Sequence, residues 1–480
     1  MRVLFLKVRC TQSEMVSAPS LGLLFILGYC RERAPGHRYF FRDFHSEDLD
    51  PGEQLAYISD TKPDIVGLTA VTDDIDDVMA MAKKIKSILP DCRIVLGGHH
   101  ATARPDDEYP HIDTIVIGEG EVSFHDLLLK AEEGEPWPSV YQTSTHLKDI
   151  DFPPAWDLVK DLRIYKMTGR PFIYHPFVNI IASRGCPYQC TFCSSSMWRR
   201  AKPFFRFRSP QSVVDEIEHM VETYGIRNFV FQDDALNGNV KHLDQMLDEM
   251  IRRKVKIRWE SSFLGNACFL PEYLFPKLKA SGCVGFNFGV ESGSPRVLKG
   301  IKKGIELDEV VRAMTLTKKY GLYNSLLLMV GNAWYGEDGK PDGEYLEDLK
   351  MTYEFIKKVT DAGLLYYLSL SIARPYPGSA MGNLVEEFGL AESMRLEDRD
   401  AVERRVITFD HPHLTDEEVQ YYYNKIWQHV SFHPRVMLNQ LMLIKNWDEL
   451  KRISRIALLQ FQKLAINRKV FKNVLAEKSA

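Results

Sequence analysis

The sequence contains few cysteines and no long apolar segment. Only 8 of its 480 residues are cysteine, which indicates a reducing compartment such as the cytoplasm and argues against a framework of disulfides. The longest apolar run, LGLLFILGYC (21–30), has about half the length of a bilayer-spanning helix. The apolar start, MRVLFLKVRC, is too short and too charged for a signal peptide and predicts a buried first strand.

The chain also lacks a large excess of charge. It has 61 Lys and Arg against 65 Asp and Glu, a net charge of −4, so no nucleic-acid partner is expected. With 45% hydrophobic and 26% charged residues, the chain can bury large cores and is not disordered. Its length allows two or three domains.

Three of the cysteines lie close together. Cys186, Cys190 and Cys193 have the spacing C-x3-C-x2-C in ASRGCPYQCTFCSSS, and three thiols cannot all pair with one another. A zinc site usually has a fourth Cys or His ligand, and none follows nearby. Iron–sulfur clusters prefer thiolates, and a cluster held by only three of them leaves one iron open. An iron–sulfur cluster is the main interpretation and structural zinc the alternative.

The remaining cysteines need no special chemistry. They lie in or near apolar segments and are expected to be small buried residues; they are Cys10, Cys30, Cys92, Cys268 and Cys283. Cys10 ends the predicted first strand, which makes it the one candidate among them for a functional role.

The first part of the chain alternates short apolar runs with helical patterns. The predicted strands are 3–8, 38–44, 64–71, 93–98 and 114–120. This alternation predicts a Rossmann-like open parallel sheet with helices on both faces, whose ligands bind beyond the carboxyl ends of the strands. Glycines follow two of these strands, as GG (97–98) and GEGE (118–121). They would let a large flat ligand approach the backbone, or they are ordinary strand-to-helix turns.

A second alternation follows a proline-rich stretch. Its predicted strands are 177–183, 228–233, 256–262, 284–290, 323–330 and 364–373. Six strand–helix repeats predict a partial (β/α)6 barrel of the TIM type, with its chemistry at the carboxyl ends of the strands. Ser209 and Pro210 are expected to start the helix after the cysteines.

The chain therefore divides into four predicted parts: a first α/β domain (1–135), a linker (136–172), the partial barrel (173–390) and a C-terminal helical region (391–480). In the last part, Thr415 and Glu418 form a capping-box pattern. Residues 431–480 contain ten Lys and Arg against three Asp and Glu. This region is expected to be a helical cap with a solvated basic face; peripheral contact with an acidic membrane is the alternative.

The first domain resembles cobalamin-binding domains in the segments PDIVGLTAVTDDIDDVMAMA, IVLGGHHAT and IVIGEGE. The resemblance implies that Thr69 lies beside the buried nucleotide tail of cobalamin. It implies a slot for this tail lined by Gly97, Gly98, Gly118, Glu119 and Gly120.

One motif of many such domains is missing. The D-x-H-x-x-G segment that supplies a histidine to cobalt is replaced by CTQSEMVSAPSLG (10–22). The resemblance therefore implies base-off cobalamin with no histidine from this motif on the metal. His99 and His100 are interpreted as a polar pair in a ligand-facing loop and not as substitutes for it.

The three cysteines, with Phe192 before the last one, resemble the signature of the radical S-adenosylmethionine (SAM) superfamily. This implies a [4Fe-4S] cluster held by Cys186, Cys190 and Cys193, with SAM on the open iron. Gln232 and Asp233 match the second-strand position that contacts SAM, although Asp233 and Asp234 could instead cap a turn. Glu291 in GVESGS matches another SAM position, and a carboxylate there would be costly to bury without a role. The loop at 329–338 departs from the family's shorter turn and is assigned to substrate choice.

The order of the two domains resembles the cobalamin-dependent radical SAM enzymes over residues 1–390. The resemblance implies methyl transfer to an unactivated carbon by means of a [4Fe-4S] cluster, SAM and methylcobalamin, on a small-molecule, lipid or peptide substrate. It also implies anaerobic chemistry and a reductant such as flavodoxin or ferredoxin. A cobalamin-dependent cyclase or oxidase without methyl transfer shares every motif, and a non-enzymatic B12 or iron–sulfur sensor is the remaining alternative. The sequence identifies no further catalytic residue.

Overall fold

The computed structural model contains two parallel sheets joined by a packed segment. It describes residues 1–9, 18–145, 147–165, 173–200, 202–264, 270–390 and 407–442, together with 444, 450 and 454.

The first sheet has six parallel strands in the order β2-β1-β3-β4-β5-β6. The strands are β1 (Arg2–Lys7), β2 (Arg38–Asp43), β3 (Ile65–Thr69), β4 (Arg93–Gly97), β5 (Thr114–Val116) and β6 (Val140–Tyr141). The five predicted strands and the Rossmann-like class are confirmed. The two-residue β6 was missed, because so short a strand has no readable alternation.

Helices cover both faces of this sheet. They are α1 (Leu21–Arg33), α2 (Pro51–Thr61), α3 (Ile75–Ile88), α4 (His99–Ala103) and α5 (Gly120–Glu132). In β1, Val3 and Phe5 face the core shared with α1 and α5, whereas Leu4 and Leu6 face the core shared with α2 and α3. This alternation with period two places a buried layer on each side of the strands.

The second sheet is the predicted partial barrel. Its six parallel strands run in the order β12-β11-β10-β9-β8-β7. They are β7 (Phe177–Ile180), β8 (Asn228–Phe231), β9 (Arg258–Leu264), β10 (Cys283–Glu291), β11 (Tyr323–Val330) and β12 (Tyr367–Ile372). The helices between and after them are α6 (Pro210–Tyr224), α7 (Val240–Arg252), α8 (Leu274–Ala280), α9 (Pro295–Gly300), α10 (Leu307–Lys319), α11 (Leu346–Asp361) and α12 (Ala380–Glu387). Every predicted barrel strand is present, and β7 and β12 are the edges of the open sheet.

The segment between the sheets is packed and not extended. Trp156 is buried, and its indole Nε1 donates to Glu216 Oε1 at 2.7 Å. Gly28 of α1 lies against this segment so closely that a Cβ there would meet Pro153 O at 2.2 Å. The two sheets therefore share one continuous hydrophobic core. The domain boundaries at 135, 172 and 390 stay predictions.

Two predicted helix starts are confirmed. The Ser209 side chain accepts from Ser212 N with Pro210 in the first turn of α6, and Thr415 and Glu418 form a capping box. The C-terminal helices are α13 (Asp416–Phe432) and α14 (Pro434–Leu441). Most of the basic stretch after residue 442 lies outside the described residues, so the predicted helical cap and membrane contact have no structural account. Within the described part of the chain, no helix has the length and apolarity needed to cross a membrane.

Candidate functional site between the two sheets

A cavity of ≈ 790 Å³ lies where the carboxyl ends of the two sheets face each other. Its walls come from the ends of β1, β3, β4 and β5 and from the loops after β7, β8 and β12. Its volume is in the upper part of the range of ligand-binding cavities. The structure brings to this wall all six residues predicted for cobalamin and one predicted for SAM: Thr69, Gly97, Gly98, Gly118, Glu119, Gly120 and Gln232.

Glycines give the wall of the first domain its shape. Gly98 has φ of 98°, and a Cβ there would lie 2.5 Å from Thr69 Oγ1. A Cβ on Gly120 would lie 2.5 Å from Ile26 Cδ1. Gly98 therefore requires glycine, because its neighbours include the Ala70 backbone, whereas Gly120 contacts only the flexible end of Ile26. The slot for a ligand stays a prediction beside the alternative of ordinary turns.

The chemistry of this wall fits a large, flat cofactor with a buried tail. Apolar side chains from the sheet, among them Phe5, Leu68, Val95, Val116 and Phe124, lie behind the glycine backbone. An apolar slot with a few polar groups is the usual composition of a cofactor site. Residues 10–17, which include Cys10 and most of the segment that replaces the histidine motif, lie outside the described residues.

An ion-pair cluster joins the two domains at the edge of the cavity. Arg206 donates to both carboxylate oxygens of Glu119, at 2.8 and 2.5 Å. Arg184 reaches Glu119 at 3.4 Å and Glu121 at 2.6 Å. Burial favours a raised pKa for Glu119, but the hydrogen bond from Arg206 and the charge of Arg184 outweigh it, so the pKa is lowered. Glu119 is thus ionised and tied to the barrel.

His99 faces the cavity from the first turn of α4. Its ring packs edge-on against Trp198 with centroids 5.1 Å apart. Burial lowers the pKa of His99, and the nearby Asp234 opposes this. His100 points elsewhere, with Nδ1 3.3 Å from Thr72 Oγ1. The predicted polar pair is therefore divided, and only His99 lines the ligand space.

The loop with the three cysteines follows β7 on the cavity side of the barrel. Cys186, Cys190 and Cys193 are half-buried and unpaired. Thr191 fixes the loop, because its N–H donates to Ile301 O at 3.0 Å and its carbonyl accepts from Met381 N at 2.9 Å.

The chemistry of these three thiols fits an iron–sulfur cluster. Burial raises the pKa of Cys186 to about 12 and also raises that of Cys190, so binding to metal is what would make these thiols ionise. Among the described residues, no group of three or more His, Cys, Asp or Glu has the spacing for a single metal ion.

Glu291 ends β10 in a left-handed conformation, with φ of 70°. Its carboxylate is buried and accepts from the ammonium of Lys303 at 3.1 Å. That ammonium lies 5.8 Å from the centroid of the Phe192 ring. A non-glycine residue in this conformation is often found at a functional site, where the surroundings compensate its strain.

The two aspartates after β8 point in different directions. Asp233 is buried and accepts from Ala182 N at 3.0 Å and from Ser183 Oγ at 2.6 Å, just before the cysteine loop. Burial raises its pKa to about 7. Asp234 and Gln232 line the cavity instead. The SAM contact predicted for Asp233 stays a prediction, and its observed contacts are with the backbone and side chain of the barrel.

The extended loop after β11 folds as an antiparallel ribbon. Residues Ala333–Tyr335 pair with Pro341–Gly343. Glu344 is fully buried beneath it and accepts from Asn332 N at 3.1 Å. This loop is absent from the wall of the large cavity, so its assignment to substrate choice stays a prediction.

The remaining described cysteines, Cys30, Cys92 and Cys283, are buried as expected. Cys268 lies outside the described residues. Sequence reasoning missed three charged residues at the site: Arg184, Arg206 and Lys303. A signal existed for Arg184, two residues before Cys186, but a charge in a loop is normally solvated.

Comparison with known proteins matches both halves of the site to families. The family of the B12 binding domain matches residues 16–128, and the radical SAM superfamily matches residues 180–340. An uncharacterized methyltransferase of Pyrococcus horikoshii is 29% identical over 448 residues, which covers 88% of this chain and 90% of that protein. The anaerobic magnesium-protoporphyrin IX monomethyl ester cyclase of Rubrivivax gelatinosus is 27% identical and covers 71% of this chain and 62% of its own length.

A solved structure shares the fold. The radical S-adenosylmethionine methyltransferase TsrM from Kitasatospora setae, with cobalamin and a [4Fe-4S] cluster bound, superimposes with a TM-score of 0.63 at 19% identity. The match covers 82% of this chain and 76% of that one. At this identity the likeness shows the fold, a Rossmann-like sheet followed by a partial barrel. The two family matches show that the chain carries a B12 binding domain followed by a radical SAM domain.

Proposed function

We propose that this protein is a radical SAM methyltransferase that uses cobalamin and a [4Fe-4S] cluster to methylate an unactivated carbon. The observation that carries the proposal is the cavity of ≈ 790 Å³ between the sheets. Residues from the B12-binding domain and from the loops around the three cysteines line the same space. A methyl carrier and a radical generator in one cavity could act on one substrate carbon.

The relatives support methyl transfer. Two of the three proteins compared above are named methyltransferases. The Pyrococcus protein matches over most of both chains, so the similarity extends beyond the two cofactor domains.

Residues of both domains would hold the cofactors. Cys186, Cys190 and Cys193 would bind the cluster, and the glycines at 97, 98, 118 and 120 would receive cobalamin. Gln232 and Asp234 line the cavity at the position where SAM would lie, and Glu291 is close to Phe192 of the cysteine loop through Lys303. When bound, the cluster supplies the electron that cleaves SAM, and cobalamin carries the methyl group.

The chain itself positions these groups. Asp233 fixes the end of β7, from which the cysteine loop begins, and the Glu119–Arg206 pair fixes the domains across the cavity. A site enclosed by two domains protects a radical from side reactions. The substrate would be a small molecule, a lipid or a peptide.

The test is product analysis with the anaerobically reconstituted protein. With SAM, cobalamin, dithionite and extracts of the source cells, methyl transfer would release both S-adenosylhomocysteine and 5′-deoxyadenosine. A triple Cys→Ala variant at 186, 190 and 193 would release neither. Zinc in place of iron at these thiols, or no SAM cleavage by the wild type, would refute the proposal.

A second candidate is a cyclase without methyl transfer. It is favoured by the 27% identity to the magnesium-protoporphyrin cyclase, although this chain covers only 62% of that protein. Such an enzyme would form 5′-deoxyadenosine with no S-adenosylhomocysteine. A sensor would cleave no SAM at all.

The cellular setting is part of the same proposal. A reductant such as flavodoxin or ferredoxin would deliver the electron in the cytoplasm under low oxygen, because exposed clusters are oxygen-sensitive. Contact of the basic C-terminal region with an acidic membrane would place the enzyme near a lipid substrate. Co-sedimentation with anionic vesicles tests this contact.

A further inference from the structure

Lys303 is a buried lysine that none of the predicted cofactor roles uses. It lies in the turn after α9, and its side chain is 7% exposed. Its neighbour Lys302 in the same turn is exposed. A lysine ammonium is rarely buried without a specific partner, because removing its charge from water is unfavourable.

The first partner of Lys303 is Glu291. The ammonium lies 3.1 Å from Glu291 Oε1, and both side chains are nearly closed to solvent. Gly289 on the same strand makes room for the pair, since a Cβ there would lie 2.9 Å from Glu291 Oε1 and 3.2 Å from Lys303 Nζ. Strand β10 is therefore shaped around this ion pair.

The second neighbour is the cysteine loop. The ammonium is 5.8 Å from the Phe192 ring centroid, and the turn with Lys303 accepts the Thr191 N–H at Ile301 O. Burial favours a lowered pKa for Lys303, but Glu291 together with Cys190 and Cys193 raises it. The ammonium thus lies against the part of the loop between Cys190 and Cys193, next to the Phe192 ring.

We propose that Lys303 is a positioning residue of the cluster site, which holds Glu291 and supplies a fixed positive charge beside Cys190 and Cys193. The inference rests on the proposed function, because it requires a [4Fe-4S] cluster at the three cysteines. Reduction adds one electron to such a cluster. A nearby positive charge stabilises the reduced form, so it makes the reduction potential less negative.

The experiment is a redox titration of the full-length, anaerobically reconstituted protein, followed by electron paramagnetic resonance. The variants are Lys303→Met, Lys303→Arg and the matched control Lys302→Met. We expect a more negative midpoint potential for Lys303→Met. Lys303→Arg and Lys302→Met should keep the wild-type potential, because one retains the buried charge and the other removes an exposed charge.

An unchanged potential in Lys303→Met, with a normal cluster, overturns the inference and leaves Lys303 as a counter-ion of Glu291 alone. If Lys303→Met retains no iron, the iron content and midpoint potential of Lys303→Arg test the inference instead. Iron at the wild-type level and potential in that variant supports the inference, and loss of iron from it as well overturns it. A wild-type protein without a [4Fe-4S] cluster is a different result, since it refutes the proposed function itself.

Discussion

Arg206 of the barrel and Glu119 of the B12-binding domain form a two-point ion pair, with Nη1 2.8 Å from Oε2 and Nη2 2.5 Å from Oε1. Arg206 precedes α6 in a short ribbon that pairs with Ser183–Arg184, immediately before the cysteine loop. The ion pair therefore connects the turn after β5 with the loop that holds the cysteines. Two parallel hydrogen bonds fix angle as well as distance.

We expect Glu119→Gln to destabilise the protein by about 3 kcal/mol, because it leaves the buried Arg206 guanidinium without its counter-charge. Denaturant unfolding measures the change. In a double-mutant cycle with Arg206→Gln, the double variant should be less destabilised than the sum of the single variants.

The control for this pair is Glu386→Gln, which breaks the contact of Glu386 with Arg104, also between the two domains. The Glu386 side chain is 36% exposed and the Arg104 side chain 31% exposed, so the loss of stability should be within about 1 kcal/mol. Equal losses of stability in Glu119→Gln and Glu386→Gln would show that burial does not make the Glu119–Arg206 pair the stronger contribution.

Asp233 should matter both for stability and for binding of iron at the three cysteines. Asp233→Asn replaces one accepting oxygen with a donor that faces Ala182 N and Ser183 Oγ. We expect it to cost about 1–3 kcal/mol and to lower the iron content after reconstitution. The control is Asp248→Asn, an exposed aspartate of α7 that pairs with Lys277, and it should keep both stability and iron. Full iron loading of Asp233→Asn would show that the hydrogen bonds of Asp233 at the end of β7 are not needed for the cluster to bind.

Gly98→Ala should weaken cobalamin binding by at least tenfold. The new Cβ would meet Thr69 Oγ1 at 2.5 Å and Ala70 O at 2.7 Å, so the loop must move at the cavity wall. Titration followed by the cobalamin absorbance spectrum measures the affinity. Gly134→Ala is the control, because Gly134 has φ of 71° and open space around its Cβ position. It should cost about 1–2 kcal/mol of stability and leave the affinity unchanged.

Glu344 predicts a pH dependence of stability. Burial raises its pKa to about 7 from 4.5. Between these values the folded protein keeps a proton that the unfolded chain has released, so this group's contribution to stability falls as pH rises. We expect Glu344→Gln to be less stable than the wild type near about pH 5, through a lost hydrogen bond worth ~1 kcal/mol, and to gain relative to it toward about pH 8.

Thermal unfolding at a series of pH values measures this difference. The control is Glu347→Gln, in the first turn of α11, where the side chain is exposed. Its difference from the wild type should not change with pH over this range. A pH-independent difference for Glu344→Gln as well would mean that Glu344 does not retain its proton at neutral pH.

The strands could be predicted from the sequence because each is a continuous apolar run between helical patterns. The position of the cavity could be predicted as well, because the carboxyl ends of parallel strands lie at the same edge of a sheet and ligands bind there. Where side chains point after a strand has ended could not be read in this way. Asp233 and Asp234 differ by one position, and the turn sends one inward to the backbone and the other to the cavity.

The charges at the site were missed for a related reason. Lys303 lies in IKKG, twelve positions after Glu291. The sequence does not indicate which of two adjacent lysines in a turn is buried. Arg206 is similar, in the segment FFRFR. Their importance comes from tertiary partners on other elements, which single-sequence periodicity does not report.

Thr191 lies between two of the three cysteines, and its peptide groups reach Ile301 on one side and Met381 on the other. Met381 belongs to α12, which follows the last strand, whereas the cysteine loop follows the first. The cysteine loop therefore spans the gap between the two free edges of the incomplete barrel. If this loop holds the cluster as proposed, damage to the cluster by oxygen would also disturb the loop that connects the two edges of the barrel.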